Sequence, residues 1–89
     1  MYNVLRDKMI NQELELLKDF ESNSGWFYKN ISIIRKDGFT GKFVAVKNKK
    51  VISSGDSVDL VISSLEDQGE NPAYIFIEFV HPEGFTLIL

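Results

Sequence analysis

Two groups of residues in this 89-residue chain have types and spacing that could support chemistry, and the first contains a serine. Gly55-Asp56-Ser57 has the residue order found at the nucleophile of some serine hydrolases, and His81 is the only histidine. A serine nucleophile needs a base, an orienting acid and an oxyanion hole fixed around it, and these residue types also occur together by chance. A serine or aspartate just before an apolar helix is an ordinary N-terminal cap. We therefore interpret Asp56 or Ser57 as a helix cap and predict no catalytic residue.

The second group could bind a metal ion. His81 would have to combine with the carboxylates of Glu78 and Glu83, because the chain has no cysteine. A residue before proline favours an extended conformation, which fits His81 before Pro82, and Glu83 follows in a polar turn. Glu78 fits the polar position of an alternating strand end that is open to water. We predict neither a metal site nor a bound cofactor.

Lysines at a predicted hairpin turn form a candidate anion patch of Lys47, Lys49 and Lys50. Residues 29–50 carry seven basic groups and one acidic group, whereas residues 51–89 carry seven acidic groups and none that is basic. Either the two blocks attract each other across one surface, or the basic block binds an anionic partner. The net charge is −3 and the pI is about 5.0, whereas nucleic-acid modules are usually basic overall. We favour the first alternative and keep nucleic-acid binding as the second.

The composition predicts one folded domain. Hydrophobic residues at 44% and charged residues at 26% are typical of globular proteins. The absence of cysteine excludes disulfides and thiolate metal sites and favours the cytoplasm. The longest strongly apolar run, residues 73–77, is far shorter than the roughly 20 residues that span a bilayer. No signal peptide is recognised, so we expect a cytoplasmic protein without a membrane partner.

Helical spacing dominates the first third of the chain. The apolar stripe of residues 2–20 consists of Tyr2, Leu5, Met9, Leu16 and Phe20, widened by Ile10, Leu14 and Leu17. One helix or two short ones fit this segment, since Asn11 could cap a new helix. Residues 21–25 predict a break, with Ser24 capping a second helix that ends at Gly38. Phe27, Ile31 and Ile34 would form the inner face of that helix.

Strand signals begin after Gly41. The runs 43–46 and 51–53 are apolar or β-branched, and residues 47–50 between them predict a tight hairpin. The turn suits Asn48, which tolerates positive φ, better than it suits Lys49.

The rest of the chain predicts a helix and two more strands. Apolar residues at i, i+3, i+4 and i+7 from Val58 to Leu65 indicate a helix over residues 57–68 that stops at Gly69. Residues 73–80 are almost continuously apolar, which predicts a central strand covered on both faces. After a turn at residues 81–84, residues 85–89 predict a final strand.

These elements predict an α+β domain over residues 1–89. Two N-terminal helices, a helical lead-in over residues 1–37, precede a β-β-α-β-β unit over residues 38–89, which forms one mostly antiparallel four-stranded sheet. The strands before and after the helix at residues 57–68 should run parallel if they share a sheet. That helix covers one face of the sheet. The N-terminal helices cover the other face or dock on a neighbouring chain.

The hairpin region also resembles a known family. Residues 41–47, G-K-F-V-A-V-K, and 51–57, V-I-S-S-G-D-S, are similar to the core of the uncharacterised, mainly archaeal domain-of-unknown-function family five-six-seven-eight. The ending of the chain from Ile75 and the segment from Glu13 to Phe43 are similar to members as well. Asn48-Lys49 replaces a glycine of the family's turn, and residues 1–10 are an extension. The resemblance implies an archaeal, cytoplasmic protein without a known activity and with a small protein partner.

Surplus apolar surface indicates what the chain does. The N-terminal helix and the last predicted strand carry more apolar side chains than a small core can bury. We therefore predict a non-enzymatic protein-interaction module that forms a homo-oligomer or binds a small protein, with a nucleic-acid-associated protein using residues 29–50 as the alternative. The candidate interface residues are Leu5, Met9, Trp26, Tyr28, Phe85 and Leu87.

Overall fold

A three-stranded antiparallel sheet with helices on both faces forms the centre of the molecule. The structure, a computed structural model, describes residues 4–84, and their side chains from Leu14 onward. In chain order the elements are α1 (Val4–Lys29), α2 (Ile31–Ile34), a wide π-type turn (Arg35–Phe39), β1 (Phe43–Val46), β2 (Val51–Gly55), α3 (Val58–Asp67), a 3-10 turn (Pro72–Tyr74) and β3 (Phe76–Phe79). The prediction of an α+β fold is confirmed.

The predicted hairpin is present as β1 and β2. Lys47 N donates to Lys50 O at 3.0 Å, and Lys50 N donates to Lys47 O at 3.2 Å. Both central residues have positive φ, 52° at Asn48 and 59° at Lys49. Such a pair of left-handed residues matches the twist of the flanking strands, which is why two-residue hairpins favour it. The polar run between two apolar runs therefore folds as the local pattern indicates.

The sheet has the order β2-β1-β3, and β1 pairs antiparallel with both neighbours. Strands β2 and β3 are therefore parallel to each other, as predicted for strands joined through α3. The central strand is β1, however, so the prediction that residues 73–80 form the central strand is wrong. The Asn71 side chain accepts from Ala73 N at 3.1 Å and closes the 3-10 turn, so that β3 begins only at Phe76.

The prediction of a four-stranded sheet is wrong, because the sheet formed by residues 4–84 has three strands. Strand β1 already has a strand on each edge and helices over each face, so Val44, Ala45 and Val46 are completely buried without a fourth strand. The segment predicted to form that strand, residues 85–89, lies outside the described residues.

The two faces of the sheet carry separate apolar clusters. On one face Phe27 and Ile34, from α1 and α2, pack with Val44, Val46 and Val80. On the other face a second cluster is formed by Ala45, Val61, Leu65 and Ile75. The N-terminal helices thus cover the face that α3 leaves open, which was one of the two arrangements expected from the sequence.

Helix α1 is continuous through residues 21–25, so the predicted break there is wrong. Asn23 does not interrupt the helix. Its Oδ1 accepts from Lys49 N at 2.9 Å, and Phe27 one turn later is buried against the sheet. These two contacts hold a stretch that local propensity disfavours. The interruption lies instead at Asn30, between α1 and α2, where φ is −109° and ψ is 17°. The chain leaves the helical path at Gly38, where φ is 94°, close to the predicted end.

Candidate interaction surface on the first helix

Helix α1 is much longer than the sheet on which it packs. Its 26 residues span about 39 Å, whereas a four-residue strand such as β1 spans about 13 Å. The radius of gyration is 15.6 Å, compared with about 12 Å for a compact domain of this length. Among residues 14–29 only Phe27 is buried. The sheet therefore covers only the C-terminal part of α1.

The uncovered part of α1 exposes apolar side chains. Leu14 is 48% exposed and Leu17 is 56% exposed, and Ile10 continues their spacing toward the N-terminus. Residues 10, 14 and 17 follow one another at intervals of four and three and so share one side of the helix. We call these three positions the outer strip. Next to it, Leu16 and Phe20 are half-buried.

The sequence-predicted interface residues have different environments. Trp26 is half-buried against the Phe27 cluster, whereas Tyr28 is 57% exposed. The side chains of Leu5 and Met9, and all of Phe85 and Leu87, lie outside the described part of the chain. Leu14 and Leu17 are not among the interface residues predicted from the sequence, although helical spacing places both in the wide apolar stripe.

The Tyr28 hydroxyl joins α1 to β3. It donates to Glu78 Oε2 at 2.7 Å, and the Tyr28 ring contacts Phe27 edge-on with centroids 5.0 Å apart. The hydrogen bond to the carboxylate raises the pKa of Tyr28, and partial burial and the negative charge of Glu78 raise it further. This hydrogen bond fixes the end of α1 on the sheet, so Tyr28 has a structural role although its side chain is largely exposed.

The serine weighed as a nucleophile caps a helix. Ser57 Oγ accepts from Leu60 N at 3.2 Å at the start of α3, which settles the choice between Asp56 and Ser57 as the cap. Asp56 instead pairs with Lys42 Nζ at 2.8 Å, and the hydrogen bond and charge of that lysine lower the pKa of Asp56. Both side chains thus take part in the local structure.

The residues weighed as metal ligands also have structural contacts. Glu78 Oε1 accepts from Phe79 N at 3.0 Å, in addition to the bond from Tyr28. The His81 ring packs edge-on against Phe79 with centroids 4.9 Å apart, and its carbonyl oxygen accepts from Arg35 Nε at 2.8 Å. Within the described residues no three His, Cys, Asp or Glu side chains are grouped so that they could hold a metal ion.

One lysine of the predicted anion patch is paired within the molecule. Lys47 Nζ donates to both carboxylate oxygens of Glu70, at 2.8 and 2.9 Å, whereas Lys49 and Lys50 are exposed at the hairpin turn. The Lys47–Glu70 pair and the Lys42–Asp56 pair each join the basic block 29–50 to the acidic block 51–89. These two ion pairs correspond to the first of the two alternatives drawn from the sequence, in which the basic and acidic blocks attract each other across one surface.

No family model, no curated protein and no solved structure matches this chain. The similarity of residues 41–57 to family five-six-seven-eight stays a prediction. Among the residues that the structure describes, no helix is long and apolar enough to cross a membrane, α1 included.

Proposed function

We propose that this protein is a non-enzymatic interaction module that self-associates through the outer strip of α1. The exposure of Leu14 and Leu17, on the part of α1 that the sheet does not cover, carries this proposal. Removing apolar surface from water is favourable by about 25 cal/mol per Å², so an exposed apolar row is a typical contact site. A second copy supplies an identical row of matching length, and such self-complementary contacts are the usual basis of symmetric dimers.

The contacts of the charged residues support this function over nucleic-acid binding. Lys42 and Lys47 have carboxylate partners within the chain, so a phosphate would have to compete with Asp56 and Glu70 for these partly exposed lysines. Ser57 is used as a helix cap, which supports a non-catalytic role. We also propose the cytoplasm as the compartment, because a chain without cysteine gains nothing from an oxidising one.

The test compares two exposed leucines. Leu17 is 56% exposed on α1, and Leu60 is 57% exposed on α3, away from the outer strip. Sedimentation equilibrium over a range of concentrations should show a monomer–dimer equilibrium for the wild type. Leu17→Glu should weaken it at least about tenfold, or about 1.4 kcal/mol, since one leucine is lost from each copy.

The control variant, Leu60→Glu, adds the same charge at the same exposure and should leave the dissociation constant unchanged. Circular dichroism should show both variants folded, because neither side chain is buried in the monomer. A wild-type chain that stays monomeric up to about 1 mM would overturn the proposal, and so would equal weakening by the two variants.

A further inference from the structure

We infer that a cavity beside the π-type turn binds a terminal phosphate group through Arg35 and Lys36. The cavity has a volume of about 500 Å³ and is lined by Ser32, Arg35, Lys36, Thr40 and Glu83. A water molecule takes up about 30 Å³ of the liquid, so a phosphate group and part of its hydration shell fit there. The cavity lies beyond the C-terminal end of α1 and contains no residue of the outer strip, so this site is independent of self-association.

The Arg35 guanidinium is already held in place. Its Nε donates to His81 O at 2.8 Å, and the residue is half-buried. A guanidinium is planar, and its five N–H groups form a rigid fork. Within residues 14–84, no acceptor is bonded to the N–H groups of the two Nη atoms. An arginine fixed in this way donates two parallel hydrogen bonds to a phosphate with little further loss of side-chain entropy.

The positive charges of the cavity are not neutralised by carboxylates. The two ion pairs among the described residues involve Lys42 and Lys47, and neither lysine lines the cavity. Glu83 lines it but forms no ion pair with Arg35 or Lys36 within 4.0 Å. Two adjacent cations repel each other, and an anion between them replaces that repulsion by attraction. The cavity therefore favours an anion with more than one negative charge.

The hydroxyl groups of the cavity favour a phosphate over a carboxylate. Ser32 precedes Arg35 and Lys36 by three and four residues, the spacing of neighbours on one side of a helix. Thr40 Oγ1 lies 3.4 Å from Arg35 O, a long contact that a stronger acceptor can replace. A terminal phosphate offers three acceptor oxygens and a charge of about −1.5 to −2 at pH 7. A carboxylate offers two oxygens and a single charge, so it uses fewer of these donors.

Titration with three phosphate compounds at constant ionic strength tests the site. The amide NMR signals of residues 32–40 should shift saturably with inorganic phosphate, with a dissociation constant of about 1–10 mM. Binding of inorganic phosphate alone would identify the free ion as the ligand, whereas equal binding of methyl phosphate would extend the site to phosphate monoesters. Dimethyl phosphate, a diester with one charge, should bind at least about fivefold more weakly.

Two results of this titration would overturn the inference. The first is the absence of a saturable shift up to about 50 mM inorganic phosphate, far above the expected dissociation constant. The second is binding of dimethyl phosphate as tight as that of inorganic phosphate, because the cavity would then suit the phosphodiester backbone of a nucleic acid.

Substitutions assign the binding to the cavity. Lys36 is exposed, so Lys36→Gln should leave the fold intact on circular dichroism and weaken phosphate binding about threefold to fivefold. Lys50→Gln makes the same change in charge at the hairpin turn, outside the cavity, and should leave the dissociation constant unchanged. Equal weakening by these two variants would show attraction to the basic block as a whole and would overturn the inference.

Two further variants separate geometry from charge. Arg35→Lys keeps the charge but loses the planar fork, so phosphate binding should weaken at least about fivefold. Glu83→Gln removes the only carboxylate that lines the cavity among the described residues, and binding should tighten about twofold. Unchanged binding in both variants would overturn the assignment of the phosphate to this cavity.

Discussion

Gly25→Ala tests whether α1 is one continuous helix. Gly25 lies inside α1, and a Cβ built there meets no atom within 4 Å. Alanine would therefore fit without a clash, and it loses less backbone entropy than glycine when a helix forms. The gain should be about 0.5–1 kcal/mol in the free energy of unfolding. For a domain of this size, that corresponds to a rise of about 2–8 °C in Tm.

Thermal unfolding followed by circular dichroism measures the effect, and Gly38→Ala is the matched control. Gly38 also has no atom within 4 Å of a built Cβ, but its φ is 94°. Alanine there should lower stability by about 1–2 kcal/mol, because a side chain disfavours that backbone conformation. If Gly25→Ala left Tm unchanged or lowered it while Gly38→Ala behaved as expected, α1 would be interrupted at residues 21–25. The outer strip and the sheet would then not lie on one rigid helix.

Three further substitutions test local contacts. Ser53→Ala should raise the free energy of unfolding by about 1 kcal/mol in urea denaturation, because the buried Oγ has no hydrogen-bond partner among the described residues. The control Ser54→Ala, at an exposed position, should change the free energy of unfolding little. A lower free energy of unfolding in Ser53→Ala would show that the Ser53 hydroxyl has a hydrogen-bond partner. Lys49→Gly should raise the free energy of unfolding by about 0.5–1 kcal/mol, because glycine adopts the left-handed φ of 59° without strain. Lys49→Ala removes the same charge but keeps a Cβ, so it should not give that increase. Equal effects of the two substitutions would show that the backbone at Lys49 is not strained. Glu78→Gln should lower the raised pKa of Tyr28 in an ultraviolet titration of the phenolate. Since that pKa is raised, the stabilisation by the Tyr28–Glu78 bond is complete below about pH 10 and is lost as the pH rises through the raised pKa. An unchanged phenolate titration in Glu78→Gln would show that Glu78 does not raise the pKa of Tyr28.

Local patterns predicted the elements whose geometry is set by neighbouring residues. The hairpin follows from two apolar runs around a polar turn, and α3 follows from its apolar spacing and the cap Ser57. The parallel relation of β2 and β3 follows from the length of chain between them, which is long enough for a crossover helix. Each of these features depends on contacts within a short stretch of sequence.

Features set by distant residues were not predictable in the same way. Residues 21–25 have the composition of a break, but Asn23 contacts Lys49, 26 residues later in the chain. Likewise, the apolar run ending in β3 suggested a central strand, whereas the strand order places β1 there. Neither the partner of Asn23 nor the neighbour of a strand can be found from local spacing.

The same distinction applies to the candidate site. Helical spacing identified Leu14, Leu17 and Phe27 as apolar helix positions, but not which of them the sheet would cover, since that depends on where the helix crosses the sheet. Phe27 lies over the sheet and is buried, whereas Leu14 and Leu17 lie beyond it and are exposed. The sequence therefore predicted surplus apolar surface on the first helix but not its position.

The exposure of Leu14 and Leu17 links the stability of α1 to its association. A helix segment without tertiary contacts is marginally stable in water unless it is longer than about 12–15 residues. The part of α1 before Asn23 is longer than that, but it leads into residues 22–25, two serines, an asparagine and a glycine, which are poor helix formers. A second copy that buries Leu14 and Leu17 would stabilise this segment in addition to joining the chains. Self-association and the helical structure of the N-terminal half should therefore strengthen each other, and a substitution that weakens one will weaken the other.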